Sequence, residues 1–81
     1  MDNSGVELYP NPAKNSFSLN FKSVINVQDI QAISIVNSQG QVVFQTKKYQ
    51  NTLQIPNYTE GVYFVKIQFS NAQLIKKLIV Q

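Results

Sequence analysis

Hydrophobic and polar residues alternate with a period of two along most of this chain, which is the spacing of a strand with one buried face. The clearest alternation runs from Val62 to Phe69. Its residues divide into two faces, one with Tyr63, Val65, Ile67 and Phe69 and the other with Val62, Phe64 and Lys66. Similar segments occupy residues 6–9, 17–22, 33–37, 41–46, 52–55 and 73–80. The pattern therefore predicts about seven short strands and no amphipathic helix.

Turn-forming residues separate these segments. Pro10-Asn11-Pro12 ends the first strand, because proline lacks a backbone donor and holds the preceding residue extended. Ser38-Gln39-Gly40 and the stretches 57–61 and 70–72 predict further turns. Residues 23–31 fit neither period, and a loose crossover, a short strand or one helical turn all remain open there. Short strands joined by turns predict an antiparallel β-sandwich, with a five-stranded barrel as the alternative.

The composition fits one small domain. Residues 1–5 are small and polar and are interpreted as a linker remnant, and residues 6–81 as the domain. Hydrophobic residues make up 43% of the chain, which is enough for a core and too many for a disordered tail. No apolar stretch approaches the ~20 residues that span a bilayer, and the first residues lack the charged and apolar regions of a signal peptide. We therefore expect no membrane insertion, and an export address elsewhere if the protein is exported.

Residue types exclude most kinds of catalytic site. The chain contains no Cys and no His, so it has no disulfide, no Cys/His zinc site, no thiol nucleophile and no imidazole base. Its four carboxylates are scattered without the spacing of a metal loop or an acid/base pair: Asp2, Glu7, Asp29 and Glu60. A Ser–Lys pair stays open on residue types, but no sharp turn presents a serine. We expect a protein that is not an enzyme and that holds no cofactor or metal.

The basic residues are spread thinly. The chain carries a net charge of +3, and no basic run exceeds a pair, so we expect no nucleic-acid binding. The pair Lys76-Lys77 is interpreted first as protection of a sheet edge. Gly40 and Gly61 are interpreted first as turn formers, and Tyr63 as an aromatic packed on the sheet. Taken alone, these patterns leave three possibilities, namely a partner-binding module, a glycan-binding module and a structural spacer.

Four motifs are more specific in their order than any one of them alone. They are Leu8-Tyr9-Pro10-Asn11-Pro12-Ala13, a hairpin with Gly40, the strand Gly61-Val62-Tyr63-Phe64-Val65-Lys66-Ile67, and a terminal strand with Lys76-Lys77. In this order the sequence resembles the type A C-terminal sorting domain of the type IX (Por) secretion system of Bacteroidetes. The resemblance covers residues 6–81, and the stretch 23–31 and the final Gln81 depart from it.

This resemblance implies an Ig-like β-sandwich of about seven strands at the C-terminus of a cargo protein. Such a cargo passes through the periplasm, and outer-membrane components of the type IX translocon deliver it to the cell surface or release it. A sortase-like peptidase typically removes the domain and can join the cargo to lipopolysaccharide. The resemblance places the expected scissile linker near residues 3–5, and it implies that the nucleophile belongs to the peptidase.

The resemblance also assigns roles to individual residues. It implies translocon recognition by Lys76, Lys77, Gly61 and Tyr63. It marks as family motif positions Tyr9, Pro10, Asn11, Pro12 and Gly40. We further expect the last strand to have an exposed edge that pairs with a partner strand, while the lysines set its orientation. The alternative is a surface adhesion or glycan-binding sandwich that uses exposed tyrosines, Tyr49 and Tyr58.

Overall fold

A computed structural model describes residues 5–22 and 26–81 of the chain. Seven strands account for most of these residues: β1 (Val6–Tyr9), β2 (Ser16–Phe21), β3 (Ile30–Asn37), β4 (Val42–Thr46), β5 (Thr52–Gln54), β6 (Gly61–Phe69) and β7 (Gln73–Val80). One turn of 3-10 helix, Val27–Asp29, precedes β3. Within the described ranges, no segment combines the helical length and apolar character that crossing a bilayer requires.

The strands form two antiparallel sheets that pack face to face. The smaller sheet has the order β1-β2-β5, and the larger has the order β4-β3-β6-β7. Side chains from both sheets meet in a single hydrophobic cluster. The predicted Ig-like β-sandwich is therefore confirmed, and the alternative five-stranded barrel is wrong because the two sheets remain separate.

The core fills the space between the two sheets. Phe17 and Leu53 reach it from the smaller sheet, and Ile33, Val65 and Ile67 reach it from the larger one; all five are fully buried. Burying each such side chain contributes about 1.5–3 kcal/mol. The described residues include no buried polar or charged side chain. Apolar packing, rather than a covalent crosslink, therefore holds the two sheets together.

The third strand begins earlier than its alternation predicts. It starts at Ile30 rather than Ile33, and its register against β6 shifts between Ile30 and Ala32. The extra residue in this bulge is Gln31, which leaves Ile30 and Ile33 buried at an odd spacing. A strict period of two cannot detect a strand that contains such a bulge.

A helical turn precedes this strand. Of the three structures considered for residues 23–31, a helical turn describes residues 27–29, while residues 23–25 lie outside the described part of the chain. Asn26 caps the turn, since its carbonyl oxygen accepts from the Asp29 N–H and its side-chain oxygen accepts from the Gln28 N–H. Asparagine is favoured at this position because it supplies an acceptor for the first amides of a helix.

Candidate functional site

The outer edge of β7 is covered by the segment between β1 and β2. Asn11 lies beside this edge, and its side-chain amide makes two hydrogen bonds to β7. Its Nδ2 donates to the Lys77 carbonyl oxygen at 2.9 Å, and its Oδ1 accepts from the Ile79 N–H at 2.9 Å. The amide thus offers one donor and one acceptor, as the backbone of a neighbouring strand does.

Ala13 continues this pairing with its backbone. Its N–H donates to the Ile79 carbonyl oxygen at 2.7 Å, and its carbonyl oxygen accepts from the Gln81 N–H at 2.8 Å. Ala13 is fully buried and lies parallel to β7, opposite Val80. Asn11 and Ala13 together satisfy four backbone groups along β7, and we name these two residues the edge cap.

The expectation of an exposed edge on the last strand is therefore wrong for its second half. In the part of the chain that the structure describes, the hydrogen bonds along the outer edge of β7 involve Lys77, Ile79 and Gln81, and all of them come from the edge cap. A partner strand that pairs along this half has to displace the edge cap first.

An open cleft lies next to the edge cap, with a volume of about 490 Å³. We name it the Pro–Lys cleft, and its lining residues are Glu7, Leu8, Tyr9, Pro10, Asn11, Pro12 and Lys76. Tyr9 stands at this cleft with 73% of its surface exposed. The cleft brings together the first and last motifs of the sequence, since Asn11 bonds to a residue 66 positions away.

The two lysines of β7 lie on opposite faces of the sheet, as predicted for neighbouring residues of a strand. Lys76 shares its face with the buried Leu78, but it is half-buried and lines the Pro–Lys cleft. The apolar stem of a lysine packs along apolar surface while its ammonium stays in water. Lys77 is exposed on the outer face, opposite Phe64 of β6. Lys76 therefore lines the cleft together with the Tyr-Pro-Asn-Pro motif, whereas Lys77 contacts this motif through its backbone carbonyl oxygen.

Gly61 and Tyr63 have structural roles at the start of β6. Gly61 pairs with Val80 and has a φ of 154°, a value that favours glycine. Tyr63 is buried, and its hydroxyl donates to the Thr59 carbonyl oxygen at 2.7 Å. This bond is similar to the tyrosine corner of Ig-like sandwiches, in which a tyrosine binds backbone a few residues upstream. Neither residue lines the Pro–Lys cleft, and their part in recognition stays a prediction.

Gly40 lies in the turn between β3 and β4, where its φ is 87°. Asn37 closes this turn, since its side-chain oxygen accepts from the N–H groups of Gln39 at 3.0 Å and Gln41 at 2.9 Å. The Gly40 N–H donates to the Asn37 carbonyl oxygen. The predicted hairpin is confirmed. The turn favours glycine at position 40, because a residue with a side chain rarely adopts a positive φ.

The two tyrosines considered for sugar contact are half-buried, so the expectation that they are exposed is wrong. The ring centroid of Tyr49 lies 6.3 Å from that of Phe21, and that of Tyr58 lies 5.3 Å from that of Tyr63. Burial raises the pKa of Tyr58 above its usual value of 10.0, and the neighbouring Tyr63 raises it further. Both tyrosines pack against the core with part of their surface.

Sequence patterns did not indicate what Asn11 and Ala13 do, because their hydrogen-bond partners lie 66 or more positions away. The one local feature that indicates a close backbone contact is the small residue directly after Pro12, Ala13. An alanine there leaves room for its backbone to approach a neighbouring strand closely. The place of Glu7 in the cleft has no signal in the sequence at all.

The Pro–Lys cleft is suited to binding rather than to catalysis. Its lining combines a lysine, a tyrosine and a glutamate, Lys76, Tyr9 and Glu7, with the two prolines. Glu7 forms a surface ion pair with Lys22, with 3.5 Å between Oε2 and Nζ, and such pairs contribute at most about 1 kcal/mol. Among the described residues, no three metal-ligating side chains lie close enough together to hold an ion. A lysine ammonium such as that of Lys76 can donate hydrogen bonds to a carboxylate or carbonyl oxygen.

A family model described as a secretion system C-terminal sorting domain matches residues 7–81. The chain is also 32% identical, over 82 aligned residues, to a curated protein named endo-acting ulvan lyase from Formosa agariphila. That alignment covers 96% of this chain and 15% of the lyase. The chain therefore spans about 15% of the length of this relative.

A solved structure shares the fold of this chain. It is described as PorZ, an essential bacterial surface component of the type-IX secretion system of Porphyromonas gingivalis. The superposition has a TM-score of 0.70 at 18% identity, and it covers 95% of this chain and 11% of the other. At this level of identity the likeness shows that the two share a fold.

Proposed function

Because the chain belongs to the family of secretion system C-terminal sorting domains, we propose that it directs an N-terminal cargo across the outer membrane through the type IX secretion system. The family match over residues 7–81 is the observation that carries this proposal, and it assigns the domain a non-catalytic role. A sorting domain of this kind implies a secreted or cell-surface protein. The order of the four motifs supports the type A subtype.

The Pro–Lys cleft is the proposed recognition site. Tyr9 to Pro12 and Lys76 meet only in the folded domain, so a translocon component that binds the cleft selects a folded surface and not a linear peptide. The exposed Tyr9 ring supplies contact area, and the charge of the Lys76 ammonium orients the bound partner. Lys77 holds the edge cap through its carbonyl group and presents its ammonium on the other face.

Removal of the domain completes the proposed pathway. A sortase-like peptidase cleaves the linker before β1, near residues 3–5, once the cargo has passed from the periplasm to the cell surface. The curated relative supports the presence of a cargo, since the match occupies 15% of a longer protein that has the name of an enzyme. The cargo is then released or joined to lipopolysaccharide at the cell surface.

A reporter fusion in a type IX-competent host tests the proposal. The reporter carries a periplasmic signal peptide at its N-terminus and residues 1–81 at its C-terminus. We expect it at the cell surface or in the medium, whereas the reporter without the domain stays in the periplasm. Lys76→Met removes the charge and keeps the apolar stem, so it should trap the fusion in the periplasm without lowering its melting temperature. Lys47→Met, at an exposed lysine outside the cleft, is the matched control.

The point substitution is sharper than a truncation. Deleting residues 76–81 also removes the buried Leu78 and Val80, so the domain loses part of its core as well as its recognition site. Delivery of Lys76→Met at the level of Lys47→Met would show that the cleft is not the recognition site. If the parent fusion stays in the periplasm, as the reporter without the domain does, the domain is a passive spacer.

A further inference from the structure

The outer faces of the two sheets differ in character. The smaller sheet exposes mostly polar side chains: Glu7, Tyr9, Ser16, Ser18, Asn20, Thr52 and Gln54. The outer face of the larger sheet is polar at one end, where Ser34, Gln45, Gln68 and Gln73 lie. The rest of it presents an apolar set with two lysines, which we name the valine–lysine face: Val36, Val42, Val62, Phe64, Ile75, Ile79, Lys66 and Lys77. A two-layer sandwich needs only one apolar face on each sheet. The second apolar face is therefore not explained by the core.

Strand register places this set on the outer face of the larger sheet, where Val36 is itself buried, with 6% of its surface exposed. Val36 and Lys77 both lie opposite Phe64, and Ile79 lies opposite Val62. Phe64 and Ile79 are half-buried, yet they are not among the residues that pack against the core. Val42 is 58% exposed and Val62 is 38% exposed. Apolar side chains that cluster on the outer face of a sheet are typical of an interaction surface.

The charges on this sheet are of one sign. The strands β3, β4, β6 and β7 contain no Asp or Glu. The carboxylates of the described residues lie on other elements, at Glu7, Asp29 and Glu60. Lys66 lies opposite Ile75, and Lys77 lies opposite Phe64, so both ammonium groups flank the apolar patch. A complementary surface has to pair apolar side chains with carboxylates.

We infer that the valine–lysine face docks onto an acidic protein surface that also carries apolar side chains. A second copy of this chain fits poorly, because a two-fold dimer through this face brings lysines against lysines, and the four strands of the face contribute no carboxylate to pair with them. An anionic membrane fits poorly, since two lysines are fewer than a membrane-binding basic cluster has, and the chain has no Trp to anchor at an interface. This docking extends the proposed function to a second surface and does not depend on the Pro–Lys cleft.

Photo-cross-linking tests this inference. The photoreactive residue benzoylphenylalanine replaces Val62 in the reporter fusion, and irradiation in the secretion-competent host traps whatever contacts the face. The matched control places it at Gln54, which is exposed on the polar face of the smaller sheet. We expect a protein adduct from position 62 and none from position 54. Mass spectrometry should map the partner's cross-linked segment to apolar residues beside Asp or Glu.

Charge reversal provides the second measurement. Lys66→Glu combined with Lys77→Glu should lower the yield of this adduct about tenfold, equivalent to 1.4 kcal/mol of binding. Thermal unfolding of the isolated double variant shows whether this variant folds. If the variant does not fold, Lys66→Gln combined with Lys77→Gln replaces it. This second variant removes both charges without reversing them, so it should also lower the adduct yield, but by less than tenfold. An adduct to a second copy or to lipid, a partner segment without carboxylates, or equal labelling at position 54 would overturn the inference. Export of the parent fusion separately reports on the proposed function.

Discussion

Removal of the Asn11 side chain tests the edge cap directly. Asn11→Ala deletes the hydrogen bonds to the Lys77 carbonyl oxygen and the Ile79 N–H, both at 2.9 Å. Each such bond contributes a net ~0.5–1.5 kcal/mol, and because Asn11 is exposed, water replaces part of it. We therefore expect the free energy of unfolding to fall by about 1–2 kcal/mol. For a domain of this size, each kcal/mol lowers the melting temperature by roughly 4–8 °C.

Urea unfolding followed by circular dichroism measures this loss. The slope of free energy against urea should not change, because the substitution leaves the area buried on folding almost the same. Hydrogen exchange supplies a local measurement, since the Ile79 amide loses its acceptor and should exchange faster. Asn20→Ala is the matched control, at an exposed position of β2 without a side-chain hydrogen bond in the described part of the chain, and it should stay within about 0.5 kcal/mol.

A second substitution separates the two bonds that Asn11 makes. Asn11→Asp keeps an acceptor for the Ile79 N–H but replaces the donor that binds the Lys77 carbonyl oxygen. We expect it to destabilise the domain while the Ile79 amide stays protected from exchange. The reasoning is refuted if Asn11→Ala unfolds like Asn20→Ala and the Ile79 amide exchanges at the rate of the unsubstituted protein.

Two further predictions concern the region around the start of β6. Gly61→Ala should destabilise the domain by about 1–3 kcal/mol in urea unfolding, because a side chain is strained at a φ of 154°, and a stability equal to that of the parent would contradict this. The raised pKa of Tyr58 means that the unfolded state loses this proton at a lower pH than the folded state does. Stability should therefore be fully present below pH 10.0 and decline above it, more steeply than in Tyr58→Phe; identical pH dependence of the two proteins would show that Tyr58 does not contribute.

The alternation of β6 shows what a sequence pattern predicts well. Tyr63, Val65 and Ile67 were assigned to one face, and all three are buried. The pattern does not show which strands pair. The strand Thr52–Gln54, for example, has a single inward side chain, Leu53, and one buried residue does not identify a neighbouring strand. This strand pairs with β2 and not with its sequence neighbours β4 and β6. Pairing depends on contacts between distant segments, which no local periodicity encodes.

The Pro–Lys cleft and the valine–lysine face differ in how far the sequence predicts them. Motifs single out Lys76 and the residues around Asn11, but only the fold shows that they line one cleft. The valine–lysine face is partly visible in the sequence, since Val62, Phe64 and Lys66 share the second face of β6. Its full extent requires the register with β3 and β7, because a shift of one residue moves every side chain of a strand to the opposite face.

The edge cap also has a consequence for when the domain becomes functional. Its bonds join residues 66 and 68 positions apart, and closing a loop of that length costs roughly 4 kcal/mol of chain entropy. Contacts over such separations form slowly, so we expect the cap to close late in folding. Since Asn11 also lines the Pro–Lys cleft, we expect the cleft to form at the same late step of folding. If the translocon recognises this cleft, as we propose, a cargo whose sorting domain has not finished folding is not exported until the cleft has formed.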